Sequence, residues 1–167
     1  AGKFFDLLQK YHGLGERERL LLRLAAILHD CGKFISMSAP GECAYQIIMS
    51  TEILGISHME REMVASIVRY NTMELPNFNE FDGKLGNDEY LIVMKLAAIL
   101  RVCNALDRSH RQKFADMKLT IKDSNIVITT AYPDNITLEK KTLQDKQDFF
   151  EEVYGLGFEI KQKKKKQ

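Results

Sequence analysis

The 167-residue chain is 45% apolar and 28% charged, with a net charge of +1. That is the balance of an ordinary globular domain, and a chain of this length buries about 70% of its unfolded surface without disulfides or a structural metal. Near-neutrality excludes a global field that would gather nucleic acid or membrane, so any polyanion site must be a local cluster. Cys31, Cys43 and Cys103 are too widely spaced for a CxxC site and read as reduced thiols of a cytoplasmic protein. No apolar run approaches the ~18 residues of a membrane span.

The chain opens in an amphipathic segment, with Phe4, Leu7, Leu8 and Tyr11 at helical spacing and no N-cap before them. It reads as the tail of a helix that starts upstream. Gly13 and Gly15 mark a loop. A second helix is predicted over 16–30, stopped by Gly32 as a C-cap. Ser38-Ala39-Pro40-Gly41 is a turn, and a third helix follows over 42–54, ended by Gly55. Ser57 with Glu60 three residues later forms a capping box that opens a fourth helix, running to about Tyr70. Residues 71–87 read as a long loop. The fifth helix, predicted over 88–110, is the most apolar and therefore central.

After Phe114 the period changes to two. Residues 117–122 and 126–130 form a hairpin about an Asp123-Ser124-Asn125 turn. A helix over 138–154 and a short strand over 158–160 follow. The chain ends in Lys163-Lys164-Lys165-Lys166, a disordered basic tail by composition. The fold class is thus mostly α. The domains are a helical body over 1–112, a small α+β appendage over 113–162 and the tail over 163–167.

Two clusters could carry chemistry. His29-Asp30 lies at a helix end, and Asp107 falls on the apolar side of the fifth helix, in line with Cys103, Leu100 and Leu96. A carboxylate there is costly unless it is paired, hydrogen-bonded or on a metal. A His-Asp dyad with a distant helical aspartate is the layout of HD phosphohydrolases, which add a histidine from an earlier helix. His12, His58 and His110 do not have the spacing for that role. His29, Asp30 and Asp107 are therefore either a weak divalent-metal site or a hydrogen-bonded knot between helices. The second cluster is Arg101, Arg108 and Arg111, recurring at seven and three on one helical face, with Arg69 able to join. Guanidiniums in a row bind successive phosphates through forked hydrogen bonds.

Several segments together resemble the C-terminal domain of the exopolyphosphatase/guanosine pentaphosphate phosphohydrolase (Ppx/GppA) family. They are His12-Gly13-Leu14, Glu18-Arg19-Leu20-Leu21, Ala25-Ala26-Ile27-Leu28-His29-Asp30-Cys31-Gly32, Val68-Arg69-Tyr70, and Leu100-Arg101-Val102 with Ala105-Leu106-Asp107-Arg108-Ser109-His110. The resemblance spans nearly the whole chain. It implies a parent enzyme that hydrolyses the terminal phosphoanhydride of polyphosphate or pppGpp. Catalysis there belongs to a pair of actin-like N-terminal domains that bind Mg²⁺, so this chain holds no catalytic residue. It also implies an HD-like helical domain that lines a basic channel and builds a homodimer. The segment Ser38 to Tyr45 lacks the histidines common in the family, and Asn71-Thr72 stands where it tends to have His-Arg.

Three functions follow as expectations. The first is a polyphosphate-binding and dimerisation domain. The second is an autonomous metal-dependent HD phosphohydrolase acting on a nucleotide. The third is a ligand-free dimerisation module. The incomplete ligand set weighs against the second, and the arginine row favours the first over the third.

Overall fold

In the computed structural model, which describes residues 1–81 and 85–163, the chain is mostly helical with a three-stranded sheet near its C-terminal end. The helices are α1 Gly2–Leu7, α2 Gln9–His12, α3 Glu16–Leu28, α4 Pro40–Met49, α5 His58–Arg69, α6 Asn87–Leu106, α7 Thr137–Gln144 and α8 Gln147–Tyr154. The strands are β1 Lys118–Lys122, β2 Asn125–Thr130 and β3 Gly157–Gln162. Residues 82–84 of the long loop and 164–167 of the basic tail lie outside the described residues.

Helix α6 is the axis. Val93, Leu96, Ala97, Ala98, Ile99 and Val102 are all fully buried, because α3 and α5 pack on one side of it and α7 and α8 on the other. Alanines at 97 and 98 let those neighbours approach closely. The core runs without a break from Phe4 and Phe5 through α6 to Ile126, Ile128 and Phe150. At about 25 cal/mol per Å² of apolar surface, this shared burial is the main force joining sheet to helices.

The capping box at α5 forms as the sequence predicts. Glu60 Oε2 accepts from the Ser57 amide at 2.7 Å, and Ser57 Oγ accepts from the Glu60 amide at 3.2 Å. Arg17, in the first turn of α3, adds a forked ion pair to the same Glu60 carboxylate at 2.5 and 2.8 Å. Together these hold the Glu60 carboxyl at about 2, well below its ordinary value.

Four local expectations are corrected. Gly32 is not a left-handed cap. It lies in a 3₁₀ turn, Cys31–Phe34, where an added Cβ would sit 1.9 Å from the Pro40 carbonyl oxygen. The glycine is needed for that close approach to α4. The third helix ends at Met49 rather than near Leu54, and Gly55 serves a later turn at φ +88°. The fifth helix ends at Leu106 rather than His110. From Asp107 to Lys113 no apolar side chain remains to bury. Instead the Asp107 carboxylate captures the Gln112 amide at 3.0 Å, with His110 and Gln112 in the left-handed region. The helix predicted over 138–154 breaks at Asp145-Lys146 into α7 and α8, which both pack on α6 while α8 also reaches β3.

The hairpin turns at Asp123 and Ser124, both with positive φ, +48° and +58°, which suits the twist of its strands. β1 pairs antiparallel with β2, and β3 runs parallel to β2 on its other edge. A parallel neighbour needs a crossover, and α7–α8 supplies it. That crossover packs both α7 and α8 on α6.

Candidate functional site

His29 and Asp30 follow directly on α3. The His29 ring donates from Nδ1 to the Ala26 carbonyl at 2.9 Å, which turns Nε2 toward Asp30 Oδ1, 3.4 Å away. Asp30 is held by Lys33 at 2.7 Å. Burial pushes its carboxyl up, but the Lys33 contact and the nearby imidazoles outweigh this and hold it below its ordinary range. His29 and Asp107 line one cavity of about 220 Å³, together with Asn104 and His110. The fold therefore gathers His29 and Asp107, and adds His110, whose sequence spacing offered it no place beside them. It does so because the helix stops before His110.

The two carboxylates of this set each have a partner within the protein. Asp30 is engaged by Lys33, Asp107 by the Gln112 amide. Among the described residues no three His, Cys, Asp or Glu side chains converge as ligands. His12 is likewise occupied: it donates from Nε2 to the Phe5 carbonyl and accepts from the Leu14 amide, both at 2.9 Å. Burial pushes the pKa of its ring down, with the hydrogen bond to Phe5 opposing.

The four arginines separate into two kinds. Arg69 pairs with Glu42 at 2.8 Å and lies over the Tyr45 ring. It ties α5 to α4. Arg101 donates from Nε to the Tyr70 carbonyl at 2.7 Å and from Nη2 to the Met73 carbonyl, and its guanidinium stacks 4.3 Å above the Phe149 ring. Arg108 and Arg111 are exposed, beyond the end of α6. Among the described residues neither has an ion pair or a hydrogen-bonding side-chain partner. The row on a single helical face is thus corrected. One arginine is embedded in the fold, and two sit on the turn that follows.

Sequence reasoning missed Lys146. It sits at the N-terminal boundary of α8, three residues before the Phe149 ring that carries Arg101. It is partly buried. Burial lowers its pKa, and the charges of Arg101 and Arg108 lower it further; Asp145 opposes them. No local signal marks it, because in a continuous 138–154 helix it is one more lysine on a polar face.

The fold and these sites define a mostly helical domain with a small mixed sheet and a group of cations where its central helix ends. A family model described as Ppx/GppA phosphatase, domain III, matches residues 1–148. The chain belongs to that family, as its motifs implied. A comparison with curated proteins found no match. Among the described residues no helix is long and apolar enough to cross a membrane.

Proposed function

We propose that this chain is the polyphosphate-binding and dimerisation domain of an exopolyphosphatase or pppGpp phosphohydrolase, working beside actin-like catalytic domains of the parent protein that bind Mg²⁺. The observation that carries the reading is the pair Arg108 and Arg111, exposed on the turn after α6 and without acidic partners among the described residues. Guanidiniums left unpaired suit a chain of phosphates, each contact being a charge-assisted hydrogen bond. Family membership supplies the phosphatase context. This reading assigns no bond-breaking step to the chain, since the His29 ring and the carboxylates of Asp30 and Asp107 are engaged in local contacts. The three cysteines are free thiols, which suits a reducing compartment such as the cytoplasm.

The dimer half of the reading draws on a different surface. Ile27, Phe34, Ile35 and Met37, at the end of α3 and in the turn after it, are each at least 70% exposed. Large apolar groups clustered in one stretch of surface are the usual mark of an interface.

The test is a polyphosphate titration of the chain at two salt concentrations, with Arg108→Ala and Arg111→Ala alongside. Each substitution should weaken binding, and wild-type affinity should fall steeply with salt through counterion release. Affinity indifferent to salt and to both substitutions would refute the phosphate half. Sedimentation of Phe34→Asp tests the dimer half; a wild-type chain that stays monomeric would refute it.

A further inference from the structure

Strand β3 is an edge of the sheet, since the order β1-β2-β3 gives it a single neighbour. In a parallel ladder each residue directs its amide and its carbonyl to the same side, and successive residues alternate. Gly157 donates its amide to the Ser124 carbonyl at 3.0 Å, and Lys163 donates to the Thr130 carbonyl at 2.9 Å, both on the β2 side. Residues 157, 159, 161 and 163 therefore serve β2. The backbone groups of Phe158, Ile160 and Gln162 point outward, and among the described residues nothing bonds to them. Along the same edge a groove of about 350 Å³ separates Phe158, Glu159 and Ile160 from Leu143 and Gln147 of the crossover helices.

An unpaired edge is a template for another strand, and proteins blunt such edges with lysine or proline. β1, at the opposite edge, is blunted in this way. Its only charged residues are Lys118 and Lys122, so a second β1 offers them no acid. β3 carries both signs instead: Glu159 and Lys161 are exposed and lie on one face, two residues apart. The antiparallel registers in which outward groups meet outward groups differ in what faces these charges. With Glu159 opposite its own copy, acid meets acid; with Lys161 opposite its own copy, base meets base. Like charges directly opposed are destabilising. With Ile160 opposite its own copy, each Glu159 faces the Lys161 of the other strand. Phe158 then exchanges backbone hydrogen bonds with Gln162, and Ile160 with Ile160. The charges fall at the positions between these bonded pairs, where side chains come closest.

We infer that β3 binds the β3 of a second copy of this chain, antiparallel about a two-fold axis at Ile160, so that the two sheets join into one. The charges of β3 do not forbid pairing; they reject the slipped registers and leave one. The apolar face agrees. Phe158 and Ile160 lie on the helix side of the sheet, partly buried against the core, with the Phe158 ring 4.8 Å from that of Phe150. Directly opposed residues of an antiparallel pair share a face, so the Ile160 side chain of the second copy falls on the side of the groove lined by Leu143. The contact is isologous and closes as a pair. It goes beyond the dimer proposed above, which uses the separate surface of Ile27, Phe34, Ile35 and Met37.

The test is sedimentation velocity over a range of concentrations, on the 167-residue chain carrying Phe34→Asp. That substitution takes the apolar surface out of play, so the association that remains is through β3. Adding Lys161→Glu, or Glu159→Lys, puts like charges opposite each other twice and should weaken association about tenfold or more. Mixed in equal amounts, the two charge variants should associate again, because each acid then meets a lysine across the contact. Within one chain Glu159 and Lys161 also pair, at 3.2 Å. Mixing does not restore that internal pair, so the recovery cannot come from it. The amides of Phe158, Ile160 and Gln162 should exchange with solvent more slowly as concentration rises. The inference is overturned by a Phe34→Asp chain that stays monomeric, by charge variants that associate as their parent does, or by a mixture no stronger than its components. In each case, wild-type association that Phe34→Asp weakens would leave the apolar dimer standing. A wild-type chain that is monomeric throughout would remove both.

Discussion

The Glu139 carboxylate, wholly removed from solvent, accepts from the Lys113 ammonium at 3.0 Å and from the Ser109 hydroxyl at 2.6 Å. Ser109 and Lys113 lie on the segment that leaves α6, and Glu139 is in the first turn of α7. The same ammonium donates to the Asn135 carbonyl at 2.9 Å. One buried ion pair thus fastens the turn bearing Arg108 and Arg111 to the crossover that carries Lys146.

Breaking that pair from one side strands a buried charge. Lys113→Met should cost about 3 kcal/mol of stability, measured by urea unfolding. Burial raises the Glu139 pKa, but Ser109 and Lys113 outweigh it, and the net direction is down. A depressed carboxyl stabilises the fold above its unfolded pKa, and that stability is lost as pH falls through the folded value. The Lys113→Met protein should therefore lose less stability than wild type between neutral and acid pH. An equal loss in both would mean that the pair has little part in acid unfolding.

Gly32 sets the position of the segment that bears His29 and Asp30. A β-carbon there would overlap the Pro40 carbonyl and crowd the Ala44 amide, both backbone atoms that cannot rotate away. Gly32→Ala should destabilise the chain by about 3 kcal/mol, the upper range of overpacking. A melting temperature unchanged from wild type would show that the turn can shift away from α4.

Much of this fold was legible in the sequence because its signals are local. Ser57 and Glu60 are three residues apart and bond each other; Asp123 and Ser124 alone make the hairpin turn. The surroundings of Arg101 were legible only in part, because its contacts are not local. Arg101 is satisfied by carbonyls about thirty residues earlier and by the Phe149 ring about fifty residues later. Periodicity carried the fifth helix past Leu106 to His110. The pattern of charges cannot show that the Asp107 side chain competes with the helix for a backbone amide. The same error hid His110 from the cavity it lines.

The Ser57–Glu60–Arg17 junction should respond to acid. Its carboxyl is held at about 2 by Arg17 first and by the Ser57 amide next. The contribution is present above the unfolded carboxyl pKa and is lost as pH falls toward 2. Because Arg17 is half exposed, solvent screening limits the ion pair, and the junction as a whole contributes about 1 kcal/mol. Glu60→Gln should lower stability by about that amount at pH 7 and by much less at pH 2. Equal destabilisation at both values would show that the hydrogen bonds, rather than the charge, carry the effect.

Arg101 should prove to be a residue of the fold before it is one of binding. Burial lowers its guanidinium pKa, with Glu74 opposing, and the side chain is spent on the carbonyls of Tyr70 and Met73 and on the Phe149 ring. Arg101→Ala leaves two carbonyls without their donor and uncovers an aromatic face, at a cost of about 2–3 kcal/mol. Lysine cannot replace it, since a single ammonium does not span two carbonyls while lying flat on a ring. Arg101→Lys should therefore stay destabilised by at least about 1 kcal/mol. Arg108→Ala and Arg111→Ala, with no side-chain hydrogen bond or ion pair among the described residues to lose, should melt as wild type does while binding polyphosphate less tightly. Thermal melts of the four variants, read beside their polyphosphate titrations, separate the two kinds of arginine. If Arg101→Ala melts as wild type does, the guanidinium is not holding the loop after α5, and Arg101 belongs with the exposed pair.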